Sequence, residues 1–551
     1  MQTKRSVKQK HPVKGDGFYH KKEERGSSSR RGLADRPRRK SEEDIEEEDR
    51  RREEEELAKA PKSKSATTTK GEDKGTQRLN SESSSRPTPS LAAERQSNDD
   101  AGGESRDNEE EDGNDDDGEE HEQQRQITLA MTRSGAVNAL SSRFLRDSDE
   151  AVQERKARAH LPFVKREITP RIYSHLPFPV RQDWSQVNSA EELEKLETEY
   201  FERWLDQTYR GRRVEHLSPF EHNLEVWRQL WRVLEKSDIM ILTADIRDPL
   251  LHIPVAFQRH VTQVFRLPLL IVLTKCDLVS DEHANKWKKF VEMAFDENGT
   301  TKVVLSSGKC QSTHGIGGYS ARRKILHSRA TKAQIAEMHR QSRFVLDTAI
   351  EFAKAFRPHL QTVGIGIVGQ PNTGKSSLVN AILGRHAVSV SRTCGHTKHW
   401  QTQNIKNDND EVIATVIDSP GLIFPTAVDD EAQMDNVSPR AWYECAGLYP
   451  IAQIRETYSA IRFAGERLDL PRMYNLKLNT DDYGDEWSPY AFLGSLADKR
   501  GYTLQRGGGA PDIHRAGLET INDICDGVVL LCFPPPSIDE WRRRVHDVKT
   551  D

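Results

Sequence analysis

Eight consecutive residues, Gly369, Gln370, Pro371, Asn372, Thr373, Gly374, Lys375 and Ser376, match the spacing G-x-x-x-x-G-K-[ST]. That spacing suits a loop wrapped around phosphate. Its glycines let backbone amides turn inward toward anionic oxygens, and a helix beginning there adds partial positive charge. Lys375 is then placed to reach the β- and γ-phosphates of a nucleotide. The Ser376 hydroxyl is placed to ligate Mg2+, with Ser377 beside it in the phosphate-contacting set. The flanks agree: the apolar run GIGIV precedes the loop, and SSLVNAIL, stopped by Gly384, reads as the helix that follows.

A phosphate loop by itself does not choose between adenine and guanine. Thr274, Lys275, Cys276 and Asp277 follow the apolar run LPLLIVL. A carboxylate at that strand end can accept both N1–H and the N2 amine of guanine, a pair adenine does not offer, while the lysine stem packs along the purine face. Ser306 and Ser307, after KVVL, supply a further contact to the base. Asp418, Ser419, Pro420 and Gly421 follow VIATVI. Asp418 can hold Mg2+ through water, and the Gly421 amide can sense a γ-phosphate. Thr397 lies in the polar loop between these motifs, where its hydroxyl completes the Mg2+ shell. The metal set is therefore Ser376, Thr397 and Asp418. The groups acting on the transferred phosphate are Lys375, Thr397, Gly421 and Asn372.

These residues need strands to present them. Short apolar runs at 239–242, 267–273, 302–305, 363–368 and 412–417 alternate with helical stretches. That pattern predicts a mostly parallel α/β sheet covered on both faces, with ligands at the carboxyl ends of its strands. A helix is expected to open at Ser218-Pro219-Phe220-Glu221, read as a capping box, and to carry Leu224, Trp227, Leu230, Trp231 and Leu234 on its buried stripe. Residues 191–209 read as a charged amphipathic helix. The Pro- and aromatic-rich run before them reads as an extended arm laid over another surface. From about 431 the pattern turns helical, with one helix from Ser488-Pro489 to Gly501 and another carrying Ile513, Leu518, Ile521 and Ile524.

The chain has 551 residues, 31% of them charged, with a net charge of −5 and a mean hydropathy of −0.78. Much of that polarity sits in residues 1–125, basic at first and acidic around 107–122, with almost no aromatic or β-branched residues. Such a stretch buries too little apolar surface to offset its chain entropy and is expected to be disordered. Its basic start reads either as a nuclear or RNA-contacting tail or as a solubilising one. The expected division is 1–125 tail, 126–217 arm and helix, 218–430 nucleotide domain, and 431–551 helical domain. Six scattered cysteines without a CxxC pair point to a reducing compartment and no zinc site. With a polar N-terminus and no long apolar run, no secretory signal or membrane span is expected, and the chain reads as an intracellular protein of nucleus, nucleolus or cytoplasm.

The base motif comes first in the chain and the phosphate loop after it. With TKCDL (274–278), GQPNTGKSSLVNAI (369–382), SRTCGHTKHWQT (391–402) and DSPGLIFP (418–425), this order resembles the circularly permuted GTPases of the YlqF/YawG type. Within them it looks most like the guanine nucleotide-binding protein-like 1 branch, over roughly residues 165 to 535. The resemblance implies a Rossmann-like, circularly permuted G domain with a helical C-terminal domain. It also implies GTP hydrolysis to GDP and a switch role, mostly in maturation of the large ribosomal subunit, with a pre-ribosomal particle or rRNA as partner and no membrane or DNA. Thr274 stands where the family has asparagine, and Cys394 where it has proline. Leu422 follows Gly421 where Ras-like enzymes carry a water-orienting glutamine, so intrinsic turnover is expected to be slow. Asn372 resembles the asparagine of potassium-stimulated GTPases, which implies K+ beside Mg2+.

The switch Asp418–Gly421 is expected to pull on the helical domain that follows it. The basic stretch 321–344, with Arg322, Arg323, Lys324 and Arg329, reads as an rRNA-contacting helix or as a solvated face. Two rivals share the phosphate loop: an ATP-using phosphotransferase, and a scaffold that binds GTP with negligible hydrolysis.

Overall fold

The computed structural model describes residues 149–546 apart from positions 186, 211, 213–215, 297, 309–312, 314–317, 329, 385–400, 408, 428–438 and 505–507. Two units divide the chain at 108/109, and every described residue belongs to the second. The tail expected at 1–125, and Thr397, Cys394 and Arg329, lie outside the described residues.

Six strands form the central sheet: β2 (Ile239–Asp245), β3 (Leu269–Thr274), β4 (Thr301–Leu305), β5 (Val363–Gly369), β6 (Gln401–Lys406) and β7 (Val412–Asp418). A two-residue β1 (Ser174–His175) pairs separately with β8 (Thr426–Ala427). The sheet order is β4-β3-β2-β5-β7-β6, parallel except for the antiparallel β6 at one edge. The first three strands step away from the centre in one direction. The chain then crosses back through the helix Lys332–Phe356 and lays β5 against the other side of β2. Strand order therefore reverses between β2 and β5, where the crevice of such a sheet opens. A site at that reversal draws on both halves whichever half is made first.

Both faces are buried, as the continuous apolar strands require. Met240, Leu242, Leu269 and Ile271 turn to the core that holds Trp227, Trp231, Phe257 and Trp287. Ile239, Ile241, Leu270 and Val272 turn to the opposite core, with Val345, Leu346, Phe352 and Val379. Adjacent residues of one strand fill different layers, because strand side chains alternate. β6 was not expected. Its sequence QTQNIK is polar, as an edge strand's can be, so no apolar run marks it.

Two helical expectations and one strand boundary change. The helix carrying Trp227 is Leu224–Lys236, capped by Asn223, whose side chain accepts from the Glu225 amide. Ser218 is not its cap: the Ser218 hydroxyl accepts from the Thr426 amide at 3.0 Å and its own amide donates to the Thr426 carbonyl, so it braces β8 instead. The strand expected from Leu267 starts at Leu269, after Pro268. The basic stretch 321–344 is not one helix but parts of two, Tyr319–Leu326 and Lys332–Phe356, the second opened by a capping box at Thr331. Residues 191–209 do form a helix, Ala190–Tyr209. So do Pro489–Arg500, with Ser488 as N-cap and Gly501 at φ 66° as C-cap, and Ile513–Cys525.

The arm 161–188 runs over the helical part and the exit of β7. The Phe163 amide donates to the Trp487 carbonyl, Arg166 pairs with Glu466 at 2.8 Å, and the Leu176 amide donates to the Pro425 carbonyl. Phe178 of the arm packs edge-on to Phe424. Among the described residues no helix is long and apolar enough to cross a membrane.

Candidate nucleotide-binding site

The site begins with the backbone at the end of β5. Gly369 packs so tightly that a Cβ there would fall 2.1 Å from the Thr243 hydroxyl oxygen, so no larger residue fits. Gly374 has φ +87°, a left-handed conformation that glycine adopts without strain, and it opens the helix Lys375–Leu383. Between them the loop is held from inside. The Thr373 hydroxyl donates to the Gln370 carbonyl at 2.8 Å and lies 2.8 Å from the hydroxyl of Thr243 on β2. The Gln370 side-chain amide, through Nε2, donates to the Leu251 carbonyl at 3.0 Å. Pro371 packs 3.4 Å from where a Gly421 Cβ would sit. Ser376 and Ser377 occupy the first turn of the helix, half-buried.

Lys375 is buried, and its Nζ meets Asp418 Oδ1 at 2.6 Å. Burial pushes the Asp418 carboxyl above the usual carboxylate range, against the lowering effect of Lys375. Its Oδ2 is buried with no hydrogen-bond partner. An orphaned carboxylate oxygen beside the first turn of the phosphate-loop helix fits a hydrated divalent cation held jointly with Ser376. Ser419 is buried, its amide donating to the Ile367 carbonyl and its hydroxyl to the Pro420 carbonyl. The Leu422 amide donates to the Gly369 carbonyl, and the Leu422 side chain is in the core. It cannot reach a water molecule from there.

Thr274, at the end of β3, joins the base motif to this loop. Its hydroxyl donates to the Thr373 carbonyl at 2.5 Å, and the Ala244 carbonyl lies 3.1 Å away. The pairing register explains the meeting: Asp245 stands opposite Thr274, and Thr243 opposite Gly369, so β2 sits between the two motifs. Lys275 follows with φ 57°, left-handed. Cys276 donates its amide to the Ser306 carbonyl at 3.2 Å, which sets the serine pair against the base motif, with Ser307 half-buried next to it. Burial pushes the Cys276 thiol up to about 12. The Asp277 side chain is buried, and its backbone carbonyl accepts from the Thr313 amide at 2.8 Å.

The family described as 50S ribosome-binding GTPase matches residues 364–458. Guanine nucleotide-binding protein-like 1 of Mus musculus is 32% identical over 462 residues, 72% of this chain and 73% of its own. The Homo sapiens protein of that name is 32% identical over 459 residues, with the same coverage. Large subunit GTPase 1 of Schizosaccharomyces pombe is 30% identical over 381 residues, 66% of this chain and 59% of its own. The chain belongs to the guanine nucleotide-binding protein-like 1 family of circularly permuted GTPases.

Residues outside these motifs also pack around the candidate site of this GTPase. Asp245, at the end of β2, is buried and takes Lys275 Nζ at 2.8 Å and Arg247 Nη2 at 2.7 Å. Burial alone would raise its carboxyl, but Arg247 and then Lys275 hold it well below the usual carboxylate range. Asn372, with φ 58°, gives its side-chain amide to the Gly447 carbonyl at 2.5 Å, linking the phosphate loop to the helical part. An acid at a strand end beside the sheet reversal was the available signal for Asp245. No sequence signal marks Gly447. After Gly421 the chain does not run freely: Phe424 is buried among Phe178, Trp227 and Phe257, and β8 pairs with the arm. Of the expected RNA contacts, Arg323 is paired with Glu519 at 2.7 Å, and Lys324 is exposed.

Proposed function

We propose that the chain is a guanine-nucleotide switch that hydrolyses GTP during maturation of the large ribosomal subunit. The observation that carries the reading is the Thr274–Thr373 hydrogen bond. It ties the base motif to the phosphate loop despite their reversed order in the chain, which supports one nucleotide reaching both Asp277 and Lys375. Asp277 then reads N1–H and the N2 amine, Lys275 lies along the purine, and Ser306, Ser307 and Cys276 line the base. The loop Gly369–Ser377 wraps the phosphates. The ribosomal role is supported by the names carried by the fission-yeast relative and by the matching family. A pre-ribosomal particle or its rRNA is the partner in this reading, in the nucleus or cytoplasm. The division at 218–430 and 431–551 belongs to it as well.

Ser376 and Asp418, with Thr397, would hold Mg2+, which supplies charge neutralisation at the β- and γ-phosphates. Asn372 would hold K+. Lys375 must leave Asp418 to reach the γ-phosphate, and its amine and the loop amides then stabilise the charge that develops as water attacks in line. The core position of Leu422 leaves no side chain there to orient that water. It favours slow intrinsic turnover, and it is the one observation that supports a scaffold with negligible hydrolysis instead.

The test is base preference together with turnover. Asp277→Asn replaces an acceptor pair with an amide that can donate to a xanthine carbonyl. It is expected to cut GTP affinity by about 100-fold and to raise affinity for xanthosine triphosphate. Unchanged GTP preference would show that the base sits elsewhere.

A further inference from the structure

Lys275 holds a left-handed conformation, φ 57°, in a residue that has a Cβ. Such a conformation persists only where the surroundings fix it. Its side chain is held as well. Lys275 Nζ lies 2.8 Å from Asp245 Oδ2, and that carboxylate is itself immobilised. Arg247 grips it with Nε at 3.0 Å from Oδ1 and Nη2 at 2.7 Å from Oδ2, and the Arg247 amide donates to Oδ1 at 3.0 Å. The remaining guanidinium hydrogens leave the sheet. Nη1 donates to the Ile524 carbonyl at 2.6 Å and Nη2 to the Cys525 carbonyl at 3.2 Å. Those carbonyls end the helix Ile513–Cys525, where partial negative charge favours a cation.

The backbone repeats the link. The Ile246 amide donates to the Thr274 carbonyl, and the Phe533 amide donates to the Arg247 carbonyl at 2.8 Å. Gly527, just past that helix, is so close to the base motif that a Cβ on it would fall 2.7 Å from a Leu278 methyl. One buried carboxylate thus joins the lysine of the base motif to the end of a C-terminal helix.

We propose that Asp245 is a positioning residue for guanine recognition, acting through Lys275, and that Arg247 anchors it to the C-terminal helix. The proposal rests on the reading that Lys275 and Asp277 hold the base. An ammonium fixed at its tip keeps the aliphatic stem extended as a flat wall, so less side-chain freedom is lost when the purine arrives. Asp245 needs no contact with nucleotide to have this effect.

The experiment is a double-mutant cycle on GDP affinity, measured by titration of the full chain, with thermal unfolding followed in parallel. Asp245→Asn is expected to raise the Kd for GDP about five- to tenfold. Lys275→Met keeps the stem and removes the amine, and in that background Asp245→Asn should leave the Kd unchanged. Any loss of melting temperature from Asp245→Asn should be similar in both backgrounds, since Arg247 is disturbed in each. Asp245→Glu serves if the asparagine variant does not fold: it keeps the charge for Arg247 but shifts the carboxylate by one methylene. It should weaken GDP binding only when Lys275 is present. Equal loss of affinity with and without the Lys275 amine overturns the proposal, and so does an unchanged Kd in the wild-type background. Asp277→Asn separates the two levels. If xanthosine nucleotides replace guanosine ones while Asp245→Asn acts independently of Lys275, the base site stands and only the positioning role fails. If no exchange of base occurs, the base site itself fails.

Discussion

Replacing Thr274 by valine tests whether the base motif preorganises the phosphate loop. Valine keeps the shape of threonine and deletes only the hydroxyl. In the native protein Thr274 is buried, 5% exposed, and its hydroxyl sits 2.5 Å from the Thr373 carbonyl and 3.1 Å from that of Ala244. It has one proton, and the shorter contact marks the carbonyl that receives it. Without it the Thr373 carbonyl, one residue before Gly374, loses a buried donor. An unmade buried hydrogen bond costs about 1–3 kcal/mol. If the loop keeps its shape, that cost falls on stability. If the loop relaxes, part of it must be recovered each time a nucleotide binds. Thr274→Val should therefore weaken GDP and GTP alike by about five- to fiftyfold, each tenfold being 1.4 kcal/mol. Both nucleotides suffer equally because the tie lies under the loop, not at the γ-phosphate. Fluorescent-nucleotide titration with Mg2+ reads the affinity, and urea unfolding of the nucleotide-free protein reads the stability. Thr274→Asn, the residue that the family resemblance places here, should recover most of the affinity because an amide can also donate to that carbonyl. Affinities within twofold of wild type in Thr274→Val, whatever happens to stability, would refute the idea that this contact shapes the site.

Two other perturbations follow from the same geometry. Lys375→Ala should abolish measurable GTP turnover and also destabilise the nucleotide-free protein by about 3–5 kcal/mol, because it strands the Asp418 carboxylate in a buried setting. Lys375→Ala with Asp418→Asn should regain part of the stability in urea unfolding but none of the turnover. Asp248 offers a pH test. Burial, opposed by the Tyr173 hydroxyl and by lesser partners including the Trp442 indole, lifts its carboxyl from 3.8 to about 6. The native state therefore holds that proton more tightly than the unfolded chain. Its stabilising effect is complete below about pH 4 and is lost as pH rises through about 6, a span of about 2–3 kcal/mol. Asp248→Asn should flatten the stability–pH curve between those limits, and a curve with the wild-type slope would remove Asp248 from the account.

What the sequence determined by itself is whatever depends on local order along the chain. The five apolar strands announced themselves because a strand buried on both faces must be apolar throughout, and the phosphate loop because its glycines and lysine must stand at fixed spacing in one turn. The helix from Ser488 to Gly501 was legible at both ends for the same reason, since its cap groups lie next to it. The place of Thr274–Asp277 at a strand end was legible too.

What only the tertiary structure decided is which distant groups meet. Thr274 and Thr373 are neighbours because β2 lies between β3 and β5, a fact of sheet order that no spacing encodes. Ser218 has the residues of a helix cap, yet it pairs with Thr426, because a nearby strand outcompeted a helix start whose role Asn223 could fill. Asp245 reads as one more apolar-strand ending until Lys275, Arg247 and the end of the helix Ile513–Cys525 close around it. Local patterns fix elements because their energies are local. The contacts around this site join residues far apart in the described chain, and only the packed sheet brings them together.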